Sequence, residues 1–164
     1  MVRVVRLPYR VLFLCARNSA RSQIAEALLS RRGPDRFAAE SAGSSPAAHV
    51  NGLTLEVLRE IGIGWSGHAP RGLNGLERQH WDFVITVCDR AREACPIFPG
   101  QPVVAHWGMA DPAETAGPET QRLAAFRHAV ILLGRRIDLF LALPVEKLDR
   151  LALEARVRAI GDTG

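Results

Sequence analysis

Val11-Leu12-Phe13-Leu14-Cys15-Ala16-Arg17-Asn18-Ser19-Ala20-Arg21-Ser22 is the stretch that decides how this chain folds. Four consecutive apolar residues describe a strand buried on both faces, and that strand stops at a cysteine. From Ser22 to Arg32 the apolar residues Ile24, Ala25, Leu28 and Leu29 recur at helical spacing, and Gly33-Pro34 closes the run. A strand, a short loop and a helix in this order suit a tetrahedral oxyanion. The backbone of Ala16, Arg17, Asn18, Ser19 and Ala20 and the helix N-terminus supply positive potential, and Arg21 supplies a two-pronged contact. The same field favours thiolate over thiol, so Cys15 is predicted to be a nucleophile at the floor of an anion site. A lone cysteine at a strand end is more often a small buried hydrophobe. The neighbouring arginines, asparagine and hydroxyl groups favour the nucleophile.

The same alternation continues along the chain. Phe37 to Ala42 reads as a second strand ending at Gly43, and Val50 to Ile61 as an amphipathic helix stopped by Gly62. A Gly-rich connection from Gly62 to Gly75 leads to a third buried strand, Phe83 to Cys88, and Val103 to Trp107 makes a fourth. A long helix from about Glu119 to Ala142 carries Leu123, Phe126, Val130, Leu133, Ile137 and Leu141 as its core stripe. Pro144, well placed in a first helical turn, is predicted to open a last helix reaching about Ile160. Strand–helix alternation with short connections predicts an α/β fold: one doubly wound domain over residues 1–164, a four-stranded parallel sheet with helices on both faces. The helix from about residue 144 is then a C-terminal addition. Ligands of such sheets bind at the carboxyl ends of strands, where Cys15, Cys88 and the loop after Trp107 all fall.

The chain has 164 residues and 48% apolar content, ample for a single packed core. Its start, Met1 to Pro8, is too short and interrupted for a signal peptide, and no segment approaches a membrane span. The three cysteines are an odd number and so an unpromising structural disulfide set. A reducing, cytoplasmic setting is expected. The net charge of +4 is carried almost wholly by arginine, with Lys147 the single lysine. Those arginines are scattered among acids without a nucleic-acid-binding signature, so neither nucleic acid nor membrane is an expected partner.

Cys88 and Cys95 are seven positions apart, two helical turns. If the residues between stay helical the sulfurs lie about 10 Å apart, too far for a disulfide; if they unwind, the thiols can meet. The segment is short, abuts Pro96 and carries both signs of charge, so unwinding it is easy. Two unrelated thiols are the plainer alternative. A Cys₃His zinc site lacks the two-to-four-residue spacing of a zinc knuckle, so no metal is expected. Asp111, before Pro112, could protonate a leaving oxygen or simply begin a turn. Ser22 is placed to donate to the Cys15 sulfur, Ser19 to do likewise or to cap the helix, and Asn18 to take a left-handed backbone position. His68 reads as a satisfied loop or core histidine.

Together these features resemble the low-molecular-weight tyrosine phosphatase superfamily and, within it, the thioredoxin-coupled arsenate reductases. The matching stretches are Val11 to Glu26, Ser41-Ala42-Gly43, Val84 to Pro99 and His106 to Ala113. The Cys-x5-Arg-Ser loop alone marks only the superfamily; the Cys-x6-Cys-Pro pair combined with His-Trp-Gly and Asp-Pro is much more specific to the reductase. The resemblance implies that Cys15 attacks arsenate, with Arg21 and the loop amides holding the oxyanion, Ser22 supporting the thiolate and Asp111 assisting water departure. It further implies that Cys88 attacks Cys15 and that Cys95 then attacks Cys88, leaving a disulfide for thioredoxin, or for glutaredoxin with glutathione. No bound cofactor is implied.

Three departures stand out. Arg17 replaces the usual loop glycine, and Ala20 a frequent cysteine. Related reductases hold potassium through positions matching Asn18, Glu26 and Ser41 plus an aspartate, where Arg71 stands here; a fixed cation could replace the ion. The main rival reading is a phosphotyrosine phosphatase, whose pocket needs an aromatic wall beside the acid, whereas Ala113-Glu114 follows Asp111-Pro112. A non-catalytic oxyanion or thiol sensor would retain Cys15 but need neither Asp111 nor a resolving pair such as Cys88 and Cys95.

Overall fold

The structure, a computed structural model, describes residues 7–164; the reading of Met1 to Arg6 lies outside them. Strand β1 (Tyr9–Cys15) pairs in parallel with β2 (Phe37–Gly43) on one side and β3 (Phe83–Thr86) on the other. Strand β4 (Val103–His106) adds to β3, giving the order β2-β1-β3-β4. The expected four-stranded parallel α/β sheet is therefore present. The chain moves outward from β1 to β2 through α1 (Arg21–Arg32), then returns to the far side of β1. This reversal opens a crevice at the carboxyl ends of β1 and β3, where Cys15 and the residues after Thr86 emerge.

Both faces of the sheet are covered. By period-two alternation Val11 and Phe13 face one side and Leu12 and Leu14 the other, and none is more than 2% exposed. On the Phe13 side an aromatic cluster joins Phe37, Phe83, Trp107 and Phe140, with ring centroids 4.8–6.3 Å apart. Phe140 belongs to the long helix α4 (Glu119–Leu141), which also packs on α1 and on α2 (Gly52–Glu60). Among the described residues no helix is long and apolar enough to cross a membrane.

Several element ends differ from the sequence reading. β3 ends at Thr86 and not at Cys88, because Cys88 becomes the N-cap of a short helix, α3 (Asp89–Glu93). Pro144 does not open the last helix: it precedes a single 3-10 turn, Val145–Lys147, and α5 (Arg150–Ile160) starts only after Asp149. Asp149 is the better cap, its carboxylate accepting from Ala152 N at 2.8 Å. Helix α5 lies along β4, tied by Trp107 Nε1 to Val157 O at 2.9 Å and by Arg158 Nε to Val104 O at 3.2 Å. Buried Arg136 of α4 gathers the carbonyls of Trp107, Gly108, Gly161 and Thr163, binding the chain end to the loop after β4. Ser19, expected as a possible cap of α1, does not cap it. Ala20 takes the cap position with no side-chain bond, and the Ser19 carbonyl accepts from Asn51 N and Thr54 Oγ1.

Candidate active site

The loop from Cys15 to Arg21 is shaped by its carbonyls. Those of Cys15, Ala16, Arg17 and Ser19 accept from the N–H groups of Ser44, Ser45, Ala47 and Asn51 at 2.8–3.1 Å. With carbonyls turned toward that segment, the N–H groups of Ala16, Arg17, Ser19 and Ala20 have no protein acceptor among the described residues. Together with the uncapped start of α1 they form a concave set of free donors, the chemistry of an oxyanion cradle. The close approach depends on Gly43: a Cβ there would lie 2.5 Å from Ala16 O and 3.0 Å from Asn18 N. Asn18 occupies the left-handed region at φ 51°, as its place in the loop implied.

Cys15 is buried, and its sulfur lies 2.9 Å from Ser22 Oγ and 3.1 Å from Asn18 N. The direction of the surrounding hydrogen bonds follows from donor counting. Asn18 Nδ2 donates to Ser22 Oγ at 2.8 Å and to Ser41 Oγ at 2.9 Å. Ser41 passes its own proton to Glu26 Oε1 at 2.8 Å, and the Ser22 hydroxyl is left to donate to Cys15. The Asn18 amide therefore orients both hydroxyls, with Ser22 aimed at the sulfur as its position predicted.

Arg21, largely buried, donates from Nη1 to Met109 O at 3.0 Å, and its Nη2 stands 3.4 Å from Asp111 Oδ2. Asp111 also accepts from Ala113 N at 3.0 Å, which fixes its rotamer over the cleft. Loop, arginine and acid thus meet in one cleft of about 700 Å³. It is lined by Ala16, Arg17, Ser19, Arg21, Cys88 and Asp111, and also by Ala47, His49, Asn51, Asp89, Arg90, Ala113 and Glu114. No phenyl, phenol or indole ring stands among these residues. His49 and Asn51 carried no signal in the sequence, since nothing local marks them as neighbours of the loop from Ala16 to Arg21.

The two remaining thiols face different spaces. Cys88 opens on the cleft of the oxyanion loop, and its sulfur accepts from Ala91 N at 3.4 Å at the start of α3. Cys95 lies beyond α3 in a separate cavity with Thr86, Arg92, His106, Arg158 and Asp162. Burial pushes the Cys95 thiol up from its ordinary value. All three cysteines are free thiols.

Residues matching the potassium ligands of related reductases hold protein donors. Glu26 Oε1 binds Ser41 Oγ and, at 2.8 Å, His68 Nε2, while Asn18 Oδ1 accepts from Arg71 N at 3.0 Å. The Arg71 guanidinium reaches Ser41 O and Glu40 at 3.0 Å. With these oxygens engaged and the Arg71 guanidinium already on Ser41 O, the residues do not fit an ion. Burial raises the Glu26 carboxyl, opposed by the hydrogen bond and charge of His68. His68 is thus satisfied, as the sequence reading held, but its partner is the carboxylate at the end of the Cys15 network. That pairing joins residues 42 positions apart, and no motif announced it.

Comparison with known proteins agrees with this geometry. The family described as low molecular weight phosphotyrosine protein phosphatase matches residues 10–150. An arsenate reductase from Halalkalibacterium halodurans is 35% identical over 130 residues, 79% of this chain and 93% of that protein. The crystal structure of an arsenate reductase from Archaeoglobus fulgidus superposes with a TM-score of 0.65 at 27% identity, covering 81% of this chain and 99% of that one. A thioredoxin-dependent arsenate reductase from Corynebacterium glutamicum gives 0.56 at 30% identity, covering 83% of this chain and 65% of that one.

Proposed function

This chain belongs to the low molecular weight phosphotyrosine protein phosphatase family, and from that premise we propose that it is an arsenate reductase working through Cys15, Cys88 and Cys95. The observation that carries the reading is the placement of the thiols. Cys88 opens on the cleft of the oxyanion loop, while Cys95 stands one short helix away in a different cavity. A phosphatase needs the nucleophile, the arginine and the acid; it has no use for a second thiol in the cleft and a third behind it.

The chemistry follows from these positions. Arsenate enters as an anion against the free loop N–H groups and the Arg21 fork. The Cys15 thiolate, supported by Ser22, attacks arsenic, and an oxygen leaves as water with a proton from Asp111. The product is a Cys15–arsenic(V) adduct. The Cys88 thiolate then attacks the Cys15 sulfur: an S–S bond forms, the S–As bond breaks, and its electron pair stays on arsenic, which departs as arsenite. Cys95 attacks Cys88 in turn, freeing Cys15 as thiolate and leaving a Cys88–Cys95 disulfide. An external dithiol, thioredoxin in the preferred form, reduces that bond; glutaredoxin with glutathione is the alternative donor. No bound cofactor is required. The expected compartment is the cytoplasm, where thiols stay reduced.

The same cleft is expected to hydrolyse a small activated phosphate ester slowly, since phosphate and arsenate share shape and charge. Without an aromatic wall it grips a phosphotyrosine ring weakly. The test is arsenate-dependent NADPH oxidation in the presence of thioredoxin and thioredoxin reductase, which Cys15→Ser should abolish. A double Cys88→Ser/Cys95→Ser variant should lose arsenate reduction and keep ester cleavage. A wild-type protein that ignored arsenate and cleaved phosphotyrosine peptides efficiently would establish the phosphatase instead.

A further inference from the structure

The Cys88–Cys95 disulfide requires α3 to unwind, so what holds α3 closed sets how readily that disulfide forms. The helix has five residues, of which only Ala91 is buried. Arg90, Arg92 and Glu93 are exposed and make no side-chain hydrogen bond or ion pair among the described residues. One side-chain bond does reach out of α3. The carboxylate of Asp89, its first residue, lies with Oδ1 3.0 Å from His106 Nε2 at the end of β4.

His106 is itself held. Its Nδ1 lies 2.7 Å from Oγ1 of Thr86, the buried last residue of β3. A carboxylate only accepts, so Nε2 carries the proton given to Asp89, and in the neutral ring Nδ1 accepts from the Thr86 hydroxyl. Gly108 leaves the ring its space, because a Cβ there would stand 2.5 Å from His106 Nε2. The ends of β3 and β4 and the first turn of α3 are thereby joined through one imidazole. That imidazole lines the cavity into which Cys95 faces.

We propose that Thr86, His106 and Asp89 form a latch that keeps α3 helical in the dithiol protein and so sets the Cys88–Cys95 exchange equilibrium. They are positioning residues: none exchanges electrons, and each acts through the helix that separates the two thiols. The proposal rests on the thiol relay of the preceding section. In the exchange itself, the Cys88–Cys95 bond forms as an external disulfide is reduced to dithiol, and the latch favours the side on which α3 is intact. Releasing it makes the protein disulfide form more readily and resist reduction more strongly.

The experiment is a redox titration of the Cys88/Cys95 pair in a Cys15→Ser background, equilibrated with reduced and oxidised dithiothreitol and read after acid quenching. Asp89→Ala, on the surface, perturbs folding least; His106→Ala and the double variant complete a cycle. Each single variant should raise the equilibrium constant for disulfide formation about two- to fivefold, the range an exposed pair supplies. The double variant should do no more than His106→Ala alone, because Asp89 acts on the latch only through the imidazole. Asp89→Asn, which keeps an acceptor for His106, should recover most of the parent value. Single variants with the parent constant, or effects that multiply in the double, would refute the latch while leaving the relay intact. Failure of every protein, parent included, to form the Cys88–Cys95 disulfide would refute the relay, and the latch with it.

Discussion

Replacing Asn18 tests the site where it is most densely connected. The side chain is 0% exposed and makes three short hydrogen bonds: to Ser22 Oγ at 2.8 Å, to Ser41 Oγ at 2.9 Å, and from Arg71 N at 3.0 Å. At about 1 kcal/mol net for each bond, Asn18→Gly should cost about 3 kcal/mol. Asn18→Ala loses the same bonds and adds strain, because φ is 51° and a Cβ in the left-handed region costs about 1 kcal/mol more. Against a total stability of about 5–15 kcal/mol both are large effects. Urea unfolding followed by linear extrapolation measures them; at about 2 kcal/mol per molar, the glycine variant's midpoint should fall by about 1.5 M. Asn18→Asp separates stability from chemistry. It tolerates the backbone angle but has no Nδ2, so the Ser22 hydroxyl would turn from Cys15 to the new carboxylate. Cys15 alkylation by iodoacetamide should slow at neutral pH. An alanine variant more stable than the glycine variant, or an aspartate variant with unchanged alkylation, would refute the directed network.

Other expectations follow from the same geometry. Cys95→Ser should release about one arsenite per protein and stall as a Cys15–Cys88 disulfide found by peptide mapping; steady turnover with thioredoxin would contradict the relay. Gly43→Ala puts a Cβ 2.5 Å from Ala16 O and should displace the loop, costing about 1–3 kcal/mol; phosphate should raise the Tm of the wild type and not that of the variant. Burial alone would raise the Glu40 carboxyl, but hydrogen bonds from Arg10 and Arg71 outweigh it and hold the group below its ordinary value. Its stabilisation is therefore present above the unfolded carboxyl's range and lost as pH falls through the folded one. Because the pair is about a third exposed, Glu40→Gln should cost no more than about 1 kcal/mol at pH 7 and progressively less as pH falls through the folded carboxyl's range. A penalty growing toward acid would reverse the sign of this account.

Much of this protein was legible before folding. A continuous apolar run ending at Cys15, followed by helical spacing from Ile24 to Leu29, is enough to place an anion loop between a buried strand and a helix. Both signals are local: the period of burial is written in consecutive residues, and a thiol six positions before an arginine keeps that spacing in any fold. The four strands and the core stripe of α4 were visible for the same reason. Errors fell at element ends, where one residue decides: Asp149 and not Pro144 begins α5, and Cys88 leaves its strand to cap α3.

What the tertiary structure alone decided is which polar group meets which. Glu26 looks in the sequence like an ordinary helical carboxylate and His68 like a loop histidine, yet together with Ser41 and Asn18 they end on the Cys15 sulfur. Arg136 sits within an apolar stripe and collects carbonyls from residues 107 to 163. Cys88 and Cys95, similar in sequence, open on separate cavities because α3 lies between them. Burial has a period that consecutive residues reveal. A hydrogen bond has only a distance and an angle, and across 15 to 53 residues those are fixed by strand register and helix packing.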